Sequence, residues 1–132
     1  VLRFLTLRGA IVHTTPPDLA ERLPLASHVL SQGGTGMAHS ALAAGRPHGI
    51  FALHGESRIN AQALTGLGAG ALLGSGPLAL PPEKILPALQ AFLADPALRG
   101  GTQEAGKALH LGGQTAGLRA VSEALARVMA TV

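Results

Sequence analysis

The 132-residue chain contains no cysteine, tyrosine or tryptophan, and only 2 % of its residues are aromatic. Without cysteine it forms neither disulfides nor thiolate metal sites, which fits the cytoplasmic location that we expect. With few aromatic side chains to stack on bases and with its basic residues scattered singly, a nucleic-acid-binding surface is not indicated. No apolar run approaches the ~20 residues that cross a bilayer, so we expect no membrane span.

Small and aliphatic residues make up most of what the sequence does contain. Hydrophobic residues account for 47 % of the chain and 18 residues are glycine, which predicts an aliphatic, closely packed core. Basic residues exceed acidic ones only by 10 to 7, an excess too small to indicate a polyanionic partner. The length fits a single domain over residues 1–132, or a fragment of one, and the start at Val1 leads us to expect a longer parent protein.

Short apolar runs alternate along the chain with segments of helical spacing. Strands are predicted at 10–13, 28–31, 48–53 and 69–73. Helices are predicted at 18–23, 37–45, 57–67, 83–95 and from 97 onwards, with a break at Gly112-Gly113 before a terminal helix. For the helix over 57–67, the spacing predicts an inner face of Ile59, Ala63, Leu64 and Leu67. The alternation predicts an α/β fold with a parallel sheet and helices on both of its faces.

A glycine-rich turn over 31–37 joins the second predicted strand to the helix that follows, with the sequence Ser-Gln-Gly-Gly-Thr-Gly-Met. Such a turn leaves backbone N–H groups free at a helix start, where the helix dipole also favours negative charge, so phosphate is its natural ligand. The alternative is that the glycines merely permit a tight turn between strand and helix. The spacing matches neither the dinucleotide-binding fingerprint nor the Walker loop.

The loop over 54–57 follows the next predicted strand and should lie beside the glycine turn, because ligands collect at the carboxyl ends of parallel strands. Backbone amides near Gly34, Thr35 and Gly36, with the Thr35 hydroxyl and the Gln32 amide, are suited to hold a diphosphate. Glu56 and Ser57 are suited to bind sugar hydroxyls. The two loops therefore predict one cleft for a phosphorylated sugar.

Other chemistries find less support in the sequence. No histidine pair has the His-x-x-x-His spacing with an acidic partner, so we expect no metal site. His39 falls within a helix and His54 at a strand end, but spacing alone assembles no catalytic triad. Glu56 stands alone in its loop, so paired carboxylates for hydrolysis are not predicted either. We expect no catalytic residue in this chain.

An ordered series of motifs resembles the C-terminal donor-binding domain of the GT-B glycosyltransferases, and most closely the group with the macrolide, antibiotic and plant secondary-metabolite glucosyltransferases. The resemblance runs from about residue 10 to the end of the chain. Its main segments are Pro17-Asp18-Leu19, Ser31-Gln32-Gly33-Gly34-Thr35-Gly36, Ala41-Leu42-Ala43-Ala44-Gly45-Arg46-Pro47, Asn60-Ala61 and Phe92-Leu93-Ala94-Asp95-Pro96.

The resemblance implies an incomplete, Rossmann-like domain that binds a UDP- or TDP-linked sugar as substrate and needs no cofactor. It implies that Gln32, Gly33, Gly34, Thr35 and Gly36 contact the donor diphosphate, and that the pair Glu56-Ser57 contacts the donor sugar. In the resembling enzymes the acceptor pocket and the histidine base belong to an N-terminal domain, which we expect to lie outside residues 1–132. That domain is an implied partner, and this chain alone is expected to be inactive.

The chain departs from the family pattern at several site positions. Gln32 stands where the family has histidine, Met37 where it has threonine, and Ser40 where it often has an acidic residue. Glu56-Ser57 replaces an Asp-Gln pair, and no aromatic residue stands near Thr14 or Thr15 to stack on the donor base. These departures leave open a non-catalytic binding or assembly module derived from the GT-B fold, and an epimerase of related architecture.

Overall fold

The computed structural model describes residues 2–76 and 81–131. Three parallel strands form one sheet in the order β1-β2-β3: β1 (Val29–Ser31), β2 (His48–Ala52) and β3 (Gly70–Ser75). The helices are α1 (Leu2–Leu7), α2 (Leu19–Arg22) with a 3-10 turn at Leu23–Leu25, α3 (Thr35–Ala43), α4 (Gly55–Gly66), α5 (Pro82–Ala94) and α6 (Ala97–Ala130). The predicted α/β class with a parallel sheet is therefore confirmed.

Helices α3 and α4 connect consecutive strands, so that each strand ends at the same edge of the sheet. In the strand register Val29 lies opposite His48, and His48 lies opposite Gly70. Ser31, at the end of β1, lies opposite Ile50 in β2. The carboxyl edge thus receives the chain leaving β1 toward α3 and the chain leaving β2 toward α4.

The core lies on both faces of the sheet, because successive strand residues point to opposite sides. Ile50 packs with α3 and α4 on one face, in a buried cluster that includes Leu42 and Leu64. Phe92 of α5 packs with Leu73 on the other face, in a cluster of Leu73, Phe92 and Leu98 bordered by Phe51 and Ala71. The prediction of helices on both faces is confirmed.

The predicted strand over 10–13 and the predicted inner face of α4 are both wrong. Residues 10–13 form no strand, and Ile11 is 83 % exposed; an isolated extended segment gains little stability without a neighbouring strand to pair with. The inner face of α4 consists of Ser57, Ala61 and Leu64, whereas Ile59 is 66 % exposed. Ala63 and Leu67 are exposed as well, so Leu64 alone of the predicted face is buried. The small side chains of Ser57 and Ala61 let α4 lie close to the sheet.

The break predicted at Gly112-Gly113 does not occur, since α6 continues from Ala97 to Ala130. A glycine inside a helix costs only roughly 0.5–1 kcal/mol relative to alanine, and this segment contains no proline that would stop the helix. Helical spacing would place Val121, Leu125, Val128 and Met129 on one face of the terminal helix, and in the structure all four are exposed. Within the described residues, none of the helices combines the length and the apolarity needed to cross a membrane.

Glycines allow the first part of α6 to lie against the α3–α4 side of the domain. A Cβ on Gly106 would lie 2.6 Å from the carbonyl oxygen of Leu42, at the end of α3, and a Cβ on Gly101 would clash with the carbonyl oxygen of Gly68. Between them, the buried Thr102 hydroxyl donates within α6 to the carbonyl oxygen of Leu98 at 2.6 Å and also lies 3.4 Å from the carbonyl oxygen of Ala69, just before β3. Backbone contacts at glycine, together with the packing of Leu98 against Leu73 and Phe92, hold this helix in place.

We expect Gly106→Ala to lower the free energy of unfolding by about 1–2 kcal/mol, since overpacking outweighs the higher helix propensity of alanine. Gly100→Ala is the matched control, because a Cβ on Gly100 in the same helix has no neighbour within 4 Å. In this control the free energy of unfolding should rise by about 0.5–1 kcal/mol. Urea unfolding of both variants measures the difference, and equal stabilities would contradict the close contact with Leu42.

Candidate functional site

The glycine turn lies at the carboxyl end of β1, between Ser31 and the start of α3 at Thr35. Gly34 occupies the position before α3 in an extended conformation and provides no side chain to accept hydrogen bonds from the helix start. Gly33 has a φ of +84°, and a Cβ at this residue would lie 2.5 Å from Cγ2 of Ile50. Glycine is therefore required at position 33 both by the backbone conformation and by the closeness of the sheet.

A polar pair formed by Ser31 and the buried His48, in the two strands beside the turn, supports the turn. The Ser31 hydroxyl lies 2.8 Å from Nε2 of His48 and accepts a hydrogen bond from the Gly33 N–H at 2.9 Å. His48 is 1 % exposed, and burial lowers its pKa from 6.5 to about 4, so the imidazole is neutral at pH 7. Its Nδ1 is buried and has no hydrogen-bond partner among the described residues. The pair fixes the position of the Ser31 hydroxyl, and through it the backbone of Gly33.

Side chains of α4 hold the turn from the side. The Thr35 hydroxyl donates to Oε1 of Glu56 at 2.7 Å, and the Thr35 N–H donates to the same oxygen at 3.3 Å. Hydrogen bonding from the Thr35 hydroxyl, and then from its backbone N–H, lowers the pKa of Glu56. The Asn60 amide donates to the carbonyl oxygen of Gly33 at 2.8 Å and to the Thr35 hydroxyl at 3.2 Å. The predicted juxtaposition of the two loops is therefore present in the structure.

The predicted site residues differ in accessibility. Gln32, Thr35, Gly36 and Glu56 are exposed at the turn, Gly34 is half-buried and Gly33 is buried. Ser57 is 0 % exposed, and its hydroxyl lies 3.3 Å from Nδ1 and 3.4 Å from Nε2 of His54. A sugar hydroxyl would reach Ser57 only if the first turn of α4 moved.

The structure also explains one departure from the family pattern and adds two residues to the site. Met37, in place of threonine, is partly buried against the cluster of Leu23, Val29 and Ala41, so it packs below α3 rather than facing the turn. Asn60 contacts the turn directly and His48 contacts it through Ser31, and neither was predicted to have a role in the site. The signal for Asn60 was its position four residues after Glu56, which puts both on one side of α4.

The side chains that could bind a metal ion do not form a cluster in the part of the chain that the structure describes. Within residues 2–76 and 81–131, no group of three or more histidine, aspartate or glutamate side chains is placed to hold a metal ion. The polar groups around the turn are instead neutral donors, one carboxylate and backbone amides. This set suits hydrogen bonding to an oxygen-rich ligand.

Comparison with known proteins finds no matching family model and no matching curated protein, whereas several solved structures match. The glycosyltransferase of kitacinnamycin superposes with a TM-score of 0.69 at 24 % sequence identity, over 86 % of this chain and 29 % of that one. CalG4, the calicheamicin glycosyltransferase, gives a TM-score of 0.66 at 29 % identity, over 88 % of this chain and 30 % of that one. The chain has a GT-B glycosyltransferase fold.

A third solved structure shares this glycosyltransferase fold, with a lower structural similarity. SnogD, a glycosyltransferase from Streptomyces nogalater, gives a TM-score of 0.53 at 24 % identity, over 74 % of this chain and 27 % of that one. The chain therefore spans less than a third of the length of each of these glycosyltransferases. The predicted resemblance to antibiotic glycosyltransferases is confirmed, and the predicted roles of individual site residues stay predictions.

Proposed function

We propose that this chain is the donor-binding part of a glycosyltransferase, which holds the diphosphate and sugar of a nucleotide sugar for transfer to an acceptor hydroxyl. The observation that carries the proposal is the turn over 32–36, which leads from the carboxyl end of a parallel strand directly into α3. In a fold shared with glycosyltransferases, such a turn is suited to a diphosphate, because backbone N–H groups at a helix start bind anions. The acceptor pocket and the base would come from a separate N-terminal domain.

We expect the turn to contribute most when the bond between the donor sugar and its diphosphate breaks. The acceptor hydroxyl attacks the anomeric carbon, the bond from that carbon to the diphosphate oxygen breaks, and negative charge gathers on the leaving diphosphate. Amides held in place before the reaction stabilise this charge more strongly than the charge of the bound substrate, which lowers the barrier. Support of the turn by Ser31, His48 and Asn60 limits its reorganisation.

Calorimetric titration of the natural full-length protein with uridine diphosphate and thymidine diphosphate tests the donor site. We expect saturable binding of at least one of them below millimolar concentration. Absence of binding of both at millimolar concentration would contradict the proposed function. The nucleotide with the higher affinity would also identify the base that the protein prefers.

Gln32 is the predicted side-chain contact to the diphosphate, and it is exposed at the turn. We expect Gln32→Ala to weaken the binding of the preferred nucleoside diphosphate about 5- to 10-fold, which corresponds to the loss of one hydrogen bond to a charged group. Gln90→Ala, at an exposed position of α5 on the opposite face of the sheet, should leave the affinity unchanged. Equal affinities for the two variants would remove Gln32 from the site.

A second candidate is a non-catalytic binding or assembly module that keeps the glycosyltransferase fold. The observation that favours it is the Glu56 carboxylate on the Thr35 donors, together with glutamine at position 32 where the family pattern has histidine. The two candidates predict different titration results, because a module that has lost its donor site should bind neither nucleoside diphosphate.

A further inference from the structure

The Thr35 N–H and hydroxyl both donate hydrogen bonds to a side chain of the protein itself. Both donate to one oxygen of Glu56, which reaches across from the first turn of α4 to the start of α3. Gly34 has no side chain that would accept from this helix start, so a carboxylate from another helix performs that function. Under the proposed function, the same two donors face the donor diphosphate.

Charge strengthens this contact. Hydrogen bonds from Thr35 lower the pKa of Glu56, so the side chain is ionised at neutral pH. A negative charge at the start of α3 also interacts favourably with the helix dipole. The carboxylate therefore satisfies the requirements of the position that a phosphate oxygen would take.

A phosphate and the Glu56 carboxylate exclude one another at these donors. Both are anionic acceptors, and two negative charges a few ångströms apart repel each other. The Glu56 side chain is exposed, so it is able to turn into solvent without disturbing the core. Asn60 holds the Gly33 carbonyl and the Thr35 hydroxyl independently of Glu56, so the turn keeps its support when the carboxylate leaves.

We propose that Glu56 is a resident anion of the turn, whose carboxylate holds the Thr35 donors in the ligand-free protein and is displaced when a diphosphate binds. This inference rests on the proposed function, and it makes Glu56 the residue that limits donor affinity. It also gives Glu56 two successive positions. The side chain is on Thr35 in the free protein, and it is released toward the cleft once the phosphate has taken its place.

The decisive variant is Glu56→Gln, which keeps the size and one acceptor oxygen of the side chain but removes its charge. In calorimetric titrations of the full-length protein at pH 7, we expect it to bind uridine or thymidine diphosphate about 3- to 10-fold more tightly than the wild type. Glu83→Gln is the matched control, since Glu83 also lies in the first turn of a helix, on α5. It should bind as the wild type does.

The outcomes separate this inference from the proposed function. If the wild type binds and Glu56→Gln binds equally or more weakly, the resident-anion inference is wrong and the donor site stands. If only Glu56→Gln binds, the resident-anion inference is supported, and the proposed function, which requires the wild type to bind, is contradicted. If neither binds, the carboxylate is not what excludes the diphosphate and both fail.

A measurement without nucleotide tests the ligand-free contact directly. In ¹⁵N-correlated spectra of the free protein, we expect the Thr35 amide resonance to shift when acid protonates Glu56, at a pH below the ordinary range of a glutamate because its pKa is lowered. The same shift should be absent from Glu56→Gln. A Thr35 resonance that behaves identically in the two proteins would overturn the contact.

Discussion

Gly33→Ala should destabilise the protein by roughly 2–5 kcal/mol and abolish nucleotide binding at the turn. A φ of +84° is strained for alanine, and the added methyl group would lie 2.5 Å from Cγ2 of Ile50. Ile50 is fully buried at the centre of the sheet, so it is not free to move aside. The turn would have to move instead, and its amides would lose their alignment.

Gly9→Ala separates the cost of the backbone conformation from the cost of the contact with Ile50. Gly9 has a nearly identical φ of +82°, but a Cβ there meets nothing within 4 Å, so this variant carries the backbone strain alone, about 1 kcal/mol. Urea unfolding of both variants gives the part due to Ile50. A double-mutant cycle with Ile50→Ala, which removes Cγ2, should show the two positions coupled; additive effects would mean that the methyl group never meets Ile50.

We expect His48 to make a large contribution to the pH dependence of the free energy of unfolding. Burial lowers its pKa from 6.5 to about 4, so between these values the unfolded chain binds a proton that the folded protein excludes. Stability is therefore fully present above about pH 6.5 and falls as the pH is lowered toward 4. The loss attributable to this one group is on the order of 3 kcal/mol. Below about pH 4 both the folded and the unfolded state bind the proton, so the loss stops growing.

His48→Gln tests this assignment, because glutamine preserves a polar group near the Ser31 hydroxyl but does not titrate. Urea unfolding at pH 7, 6, 5 and 4 should give a wild-type stability that falls more steeply than that of the variant. His39→Gln, at an exposed position of α3, should follow the wild-type curve. Parallel curves for the wild type and His48→Gln would show that the buried imidazole does not govern the acid response.

Periodicity predicted the alternation of strands and helices well, because that alternation follows from local spacing of apolar residues. It failed for residues 10–13, since an apolar run becomes a strand only with a neighbour to pair with, and such pairing is not visible in the run itself. It also misplaced the inner face of α4, where Ser57 and Ala61 are buried and the larger Ile59 is exposed. Close helix-to-sheet packing there favours small side chains over hydrophobic ones.

The glycine turn was evident from the sequence, but the contacts that determine its behaviour were not. The bond between Thr35 and Glu56 joins residues 21 positions apart, and that between Ser31 and His48 joins residues 17 positions apart. The first depends on how two crossover connections meet at one sheet edge, and the second depends on the register of β1 against β2. The topology predicts that these segments are neighbours, whereas the choice of hydrogen-bond partners arises only from the packed geometry.

The contact of α6 with α3 has a mechanical consequence. A helix of 34 residues is about 50 Å long, and beyond residue 109 every side chain of α6 that the structure describes is exposed. Gly106, which meets the backbone of Leu42 with no room for a methyl group, is therefore the last buried residue of α6 that the structure describes. A displacement of the helix beyond it would reach the domain through this contact, at the last turn of α3, whose first turn follows the glycine turn.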